Sequence, residues 1–65
     1  MEFEIPDMSC GGCANAITRA VMQFDPAAKI AIDVPVKIVN VTSTQPPHKI
    51  IEAIEAAGFH PQQRG

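Results

Sequence analysis

The 65-residue sequence predicts an α+β fold: strand-helix-strand twice over, with two helices on one face of a four-stranded antiparallel sheet. Three observations carry this reading. Apolar residues switch along the chain between alternation and helical spacing. Chain breakers stand at the switches, as Asp25-Pro26, Pro35, Pro46-Pro47 and Gly58. The two halves are of similar length, about thirty residues each, as a split βαβ plan requires.

Each element has a local reason. Residues 2–6 alternate as Glu2, Phe3, Glu4, Ile5, the period of a half-buried strand. Over residues 12–24, Cys13, Ile17, Ala20, Val21 and Phe24 fall on one helical stripe, with Asn15, Thr18, Arg19 and Gln23 off it. Asp25-Pro26 ends that helix, because the residue before proline avoids the helical region. Residues 29–34 alternate again, with Ile30, Ile32 and Val34 on one side. Pro35 suits the turn between two strands, and residues 36–42 form a β-branched run in which Val39 and Val41 share a face. Thr44-Gln45-Pro46-Pro47 opens a second helix, since proline is tolerated in the first turn. Its apolar stripe is Ile50, Ile51, Ile54 and Ala57, and Gly58 supplies the C-terminal cap. A short strand over about residues 59–63 completes a βαββαβ, ferredoxin-like sandwich that fills residues 1–65 as a single domain.

Composition narrows the function. Hydrophobic residues make up 46% of the chain, enough for a core of Ile, Val and Ala. A net charge of −2, with Arg19, Lys29, Lys37, Lys49 and Arg64 scattered, argues against nucleic acid. No run approaches the roughly 18 apolar residues of a bilayer span. The start, Met-Glu-Phe-Glu-Ile-Pro, has no signal-peptide character, so the expected compartment is a reducing cytoplasm. No carboxylate pair, Ser-His arrangement or phosphate loop stands out, so no enzyme is expected.

Both cysteines stand in Met8-Ser9-Cys10-Gly11-Gly12-Cys13, between the first strand and the first helix. Unpaired N–H groups and the positive dipole end of a helix N-terminus favour thiolate. Gly11 and Gly12 let the loop fold tightly. Two thiolates are a poor complete site for Zn(II), which prefers four ligands, but they suit Cu(I), which accepts low coordination. Such a site stays open to a third sulfur, as a carrier that works by ligand exchange requires. A thiol oxidoreductase would have a longer chain and usually Pro before the second Cys. A zinc module of Cys10, Cys13, His48 and His60 has its histidines twelve apart rather than three to five. An inert pair of small residues at a helix start is the bland alternative.

At these residues the chain resembles the heavy-metal-associated domain family, small bacterial copper chaperones among them. The family signature is Met-x-Cys-x-x-Cys after the first strand, and its second landmark is an Ala/Gly-aromatic step after the second helix, here Ala57-Gly58-Phe59. The resemblance implies Cys10 and Cys13 as metal ligands, with Met8 packed inward beneath the loop. It implies a soluble Cu(I) carrier, monomeric without metal, that passes its ion to a copper-transporting P-type ATPase or that ATPase's metal-binding domain. With excess metal, two chains are expected to share ions as a metal-bridged dimer. The alternatives are a sensor or a metal-binding domain for Hg(II), Zn(II) or Cd(II) from a larger transporter or resistance system. Asp7 stands where many family members have Gly, which puts a carboxylate near the site. Ser9 stands where zinc-selective relatives carry an acidic residue.

Two further residues follow the second landmark. By the resemblance Phe59 faces the Cys loop, either shielding the metal or serving only as a hydrophobic contact after Gly58. His60 is either a third ligand or a surface residue of the last strand. Strand alternation would turn it away from whatever Phe59 faces.

Overall fold

A computed structural model describes residues 1–9 and 11–64. The order is β1 (Glu2–Glu4), α1 (Gly11–Phe24), β2 (Lys29–Asp33), β3 (Ile38–Thr42), α2 (Pro47–Ala56) and β4 (Gln62–Gln63). The strands form one antiparallel sheet in the order β2-β3-β1-β4. Central β1 pairs Phe3 with Val39 on one side and with Gln63 on the other. Sequential βαβ halves place their helices together, so the architecture is the ferredoxin-like sandwich that the alternating periods imply.

The core lies between sheet and helices. Phe3, Ile5 and Met8 come from β1 and the chain that follows it, Val39 and Val41 from β3, Ile17 and Val21 from α1, and Ile50 and Ile54 from α2. All are essentially removed from solvent. Phe24 and Ala57, each read onto an apolar stripe, are instead exposed. They border a shallow groove between the helices with Ala20, Ala53 and Ala56, where small side chains leave the space unfilled.

All four strands are shorter than the sequence pattern suggests, the second only by Val34, which falls in the following turn. The first, expected over residues 2–6, ends at Glu4. Ile5 and Met8 still bury their side chains, the Met8 N–H donating to the Ile5 carbonyl at 3.0 Å. The third was expected from residue 36, but Val34–Lys37 is a tight turn closed by the Lys37 N–H on the Val34 carbonyl at 3.1 Å. Lys37 takes a φ of 61°, and Val36 is 57% exposed at the turn. Pro35 fixes the second residue of this turn, which overrides the β-branched character of Val36. The fourth, expected from residue 59, is only Gln62–Gln63, since Pro61 has no N–H to give a ladder.

α2 ends in a Schellman motif. The Gly58 N–H donates to the Glu55 carbonyl at 2.9 Å and the Phe59 N–H to the Ile54 carbonyl at 3.4 Å. Gly58 has a φ of 96°, the left-handed conformation that favours glycine. The motif folds Phe59 back, half-buried, onto the core cluster that contains Ile54.

Ile54 is fully buried and sits four residues before Gly58, so its truncation removes core volume and a foothold of Phe59. Ile54→Ala is expected to cost about 2–5 kcal/mol, read as a lowered midpoint in urea denaturation of the metal-free protein. An unchanged midpoint would show that this end of α2 is not part of the cooperative core.

Candidate metal site

Element direction gathers the connections after β1, β2 and α2 at one end of the domain. Two contacts tie the β2–β3 turn to the chain leaving β1. The Ile5 N–H donates to the Lys37 carbonyl at 2.9 Å, and Lys37 Nζ donates to the Pro6 carbonyl at 3.2 Å. A third contact brings in the α2–β4 connection, where His60 Nδ1 lies 2.6 Å from Asp7 Oδ2. The Cys-x-x-Cys segment begins just beyond Asp7 and Met8.

Met8 is fully buried in the core cluster, so the chain is pinned immediately before the motif. A flexible thioether fills such irregular core space well. Ser9 is exposed. Cys10, predicted as the first ligand, lies outside the described residues. Cys13, predicted as the second, is in the first turn of α1, half-buried and packed against the core. First-turn N–H groups have no carbonyl partner within the helix and present a positive dipole end. No acidic side chain stands in that turn to offset the dipole. An anionic sulfur is therefore favoured there.

Phe59 and His60 precede β4 rather than lying within it, so strand alternation does not orient them. His60 is directed by its partner instead. Its side chain is 81% exposed, against 32% for Asp7, and the pair bridges the two connections that flank the motif. The hydrogen bond to Asp7 raises the His60 pKa above the ordinary imidazole value, helped by the Asp7 charge and, less, by Glu55. His48 does not join this end. It stands in the first turn of α2 while His60 lies beyond the last, and ten helical residues span about 15 Å. The four-ligand grouping with both histidines is thus not assembled. Among the described residues no group of three or more His, Cys, Asp or Glu side chains is arranged to hold a metal.

Lys37 was not singled out by sequence pattern. The signal available was topological, since the β2–β3 turn must fall at the same end as the β1–α1 connection in this plan. Its ammonium places a cation at the Pro6 carbonyl, on the chain that leads into the motif.

The heavy-metal-associated domain model matches residues 2–60. The chain belongs to the heavy-metal-associated domain family. A domain of this family is a metal-binding carrier and not an enzyme. Among solved structures, a gold binding protein is 34% identical, with 98% of each chain covered and a TM-score of 0.96. A copper chaperone Atx1 from Synechocystis PCC6803, in its trimeric His61Tyr form, is 31% identical over 95% of this chain and 98% of that one, with a TM-score of 0.93. The N-terminal domain of PacS from the same organism is 26% identical over 94% and 90%, with a TM-score of 0.79. None of the curated proteins matches by sequence. No described helix is long and apolar enough to cross a membrane.

The Asp7–His60 pair gives a pH signature. A His with a raised folded-state pKa stabilises the fold below its unfolded value of about 6.5 and loses that contribution as pH rises through the folded value. The clasp therefore weakens on the alkaline side of the raised value. An NMR titration of the His60 ring should give a pKa above about 6.5, and Asp7→Asn should return it towards that figure. An Asp7→Asn protein with an unchanged His60 titration would break the link between the two side chains.

Proposed function

We propose that this domain is a Cu(I) carrier that holds one ion between the thiolates of Cys10 and Cys13 and passes it on by thiolate exchange. The observation that carries the reading is the placement of Cys13 in the first turn of α1, three positions after a cysteine and directly beyond the buried Met8 anchor. Two sulfurs on a tight loop match the low coordination of a soft d10 ion. Neighbours named for gold and copper, both soft as monovalent ions, support this over a hard or four-coordinate metal.

The exchange follows from the site's construction. A two-sulfur ion on an end loop leaves one side open to an incoming thiolate. A partner cysteine adds as third ligand and one resident sulfur leaves; a second partner cysteine then adds and the other resident sulfur leaves, so the ion moves without ever being free. The acceptor that suits this chemistry is a copper-transporting ATPase with the same motif on its own metal-binding domain. That the copper chaperone Atx1 and the PacS N-terminal domain share this fold supports docking of like on like. Delivery of this kind takes place in a reducing cytoplasm, where both sulfurs stay thiols.

Phe59 and His60 have separate roles in this reading. Phe59, folded back by the Gly58 cap, shields the ion from water and oxidant. His60 is held by Asp7 and donates nothing to the metal.

Reduced protein should bind one Cu(I) per chain in an anaerobic competition titration with a chromophoric chelator. Cys10→Ser and Cys13→Ser should each weaken binding by at least about a hundredfold, or 2.7 kcal/mol, since a lone sulfur cannot chelate. Wild-type affinity in either variant would remove that residue from the site.

The loop after α2 is tested by a paired comparison. His60→Ala should leave Cu(I) affinity within about threefold, well under the 1.4 kcal/mol of a tenfold change. Phe59→Ala should hasten loss of the ion to a competing chelator. A nitrogen donor seen in copper-edge absorption and absent from His60→Ala would make His60 a ligand instead.

A further inference from the structure

β2 forms one border of the sheet, and its outer edge is unpaired. The ladder shows which backbone groups face outward. Met1 N donates to the Val41 carbonyl at 3.0 Å, and the Val41 N–H donates back to the Met1 carbonyl at 2.9 Å. Val41 thus spends its backbone groups on the β1 side. Its β2 neighbour is Ile30, so that pair is the non-hydrogen-bonded kind, and Ile30 directs its own N–H and C=O away from the sheet. By alternation, so does Ile32, opposite Val39.

Side chains alternate in the same strand. Ile30 and Ile32 point towards the helices and are only half-buried against the core. Lys29, Ala31 and Asp33 are exposed. Among the described residues, neither Lys29 nor Asp33 makes an ion pair.

We infer that β2 pairs antiparallel with β2 of a second copy of this chain, about a two-fold axis through Ala31. That register is the one in which the outward groups of Ile30 meet those of Ile32 from the other copy, giving four backbone hydrogen bonds. On the exposed face it sets Lys29 opposite Asp33 of the second copy, and Asp33 opposite its Lys29. These cross-strand pairs fall at non-hydrogen-bonded positions, where side chains approach most closely. On the helix face, Ile30 meets Ile32 of the second copy and both lose remaining contact with water. One strand thus supplies hydrogen-bond register, charge complementarity and apolar contact to a copy of itself.

The same geometry limits the assembly. An isologous contact consumes the β2 edge of both copies. The opposite border, β4, is two residues long and is followed at once by Arg64, which pairs with Glu4 of β1 at 2.8 Å. Pro26 and Pro35 bracket β2, so the pairing cannot extend far. The result is a weak dimer that stops at two, with dilute protein monomeric. It uses a flank of the sheet rather than the cysteine end, and is therefore independent of metal and separate from any metal-bridged dimer.

The test uses metal-free, reduced protein, with Cys10→Ser/Cys13→Ser run in parallel to remove thiol-linked association. Between about 0.05 and 2 mM, amide NMR signals of residues 29–33 should move together as sedimentation shows mass rising towards the dimer. Lys29→Asp and Asp33→Lys each place like charges opposite one another and should weaken association about tenfold, 1.4 kcal/mol. Mixing the two variants sets a strand with two carboxylates against a strand with two ammonium groups. Opposite charges then meet at both cross-strand pairs, and association should be restored as a heterodimer. Both sites are exposed, so folding is retained and checked by circular dichroism. The proposal is overturned by static amide signals at residues 29–33, by charge reversals without effect, or by a mixture that associates no better than its components.

Discussion

Burial of one short apolar run, Phe3, Ile5 and Met8, governs the rest of this molecule. Phe3 and Ile5 seat β1 in the middle of the sheet, where β3 and β4 flank it. Met8 continues the burial past the strand's end. The backbone is therefore pinned on the last step before the cysteines, and α1 is anchored again just after them by Ile17 and Val21. A loop held at both ends by core residues can be short and glycine-rich without losing its position. The hydrophobic core that holds it is built from side chains of β1, β3 and both helices.

The surroundings of the motif are polar and adjustable by comparison. Lys37 reaches the Pro6 carbonyl from the β2–β3 turn, and His60 reaches Asp7 from the α2–β4 connection. Both contacts are exposed, so each is a modest contribution to stability. Their effect is to tie three connections into one surface around the cysteine loop. The Asp7 carboxylate also occupies His60 Nδ1, which sets the orientation of a ring otherwise free to turn.

The long flank of β2 obeys a different constraint. A sheet border exposes backbone groups that seek partners, and proteins commonly shield them with short strands, charges or proline. β4 is shielded by shortness and an ion pair. β2 carries charges too, but of opposite sign at its two ends, so its charge pattern is complementary to itself rather than self-repelling.

Sequence by itself determined the element order, both helices, and the place of Cys13 at the start of the first helix. These rest on local quantities: hydrophobic period, and proline and glycine positions. It also marked Asp7 as a carboxylate close to the motif, but not its partner. Tertiary structure decided that His60 bends to Asp7, because Pro61 delays β4 and removes the alternation expected of residues 59–63. It decided that Val36 serves a turn despite its β-branched side chain, and that Lys37 joins the site end, because Pro35 and a left-handed Lys37 close the hairpin early. Phe24 and Ala57 were on the right helical faces, yet stay exposed beside a groove that alanines leave unfilled. Period and composition are properties of a segment. Which loop meets which, and which edge stays open, depends on contacts between residues far apart in the chain, such as Asp7 and His60, and these exist only once the sheet has formed.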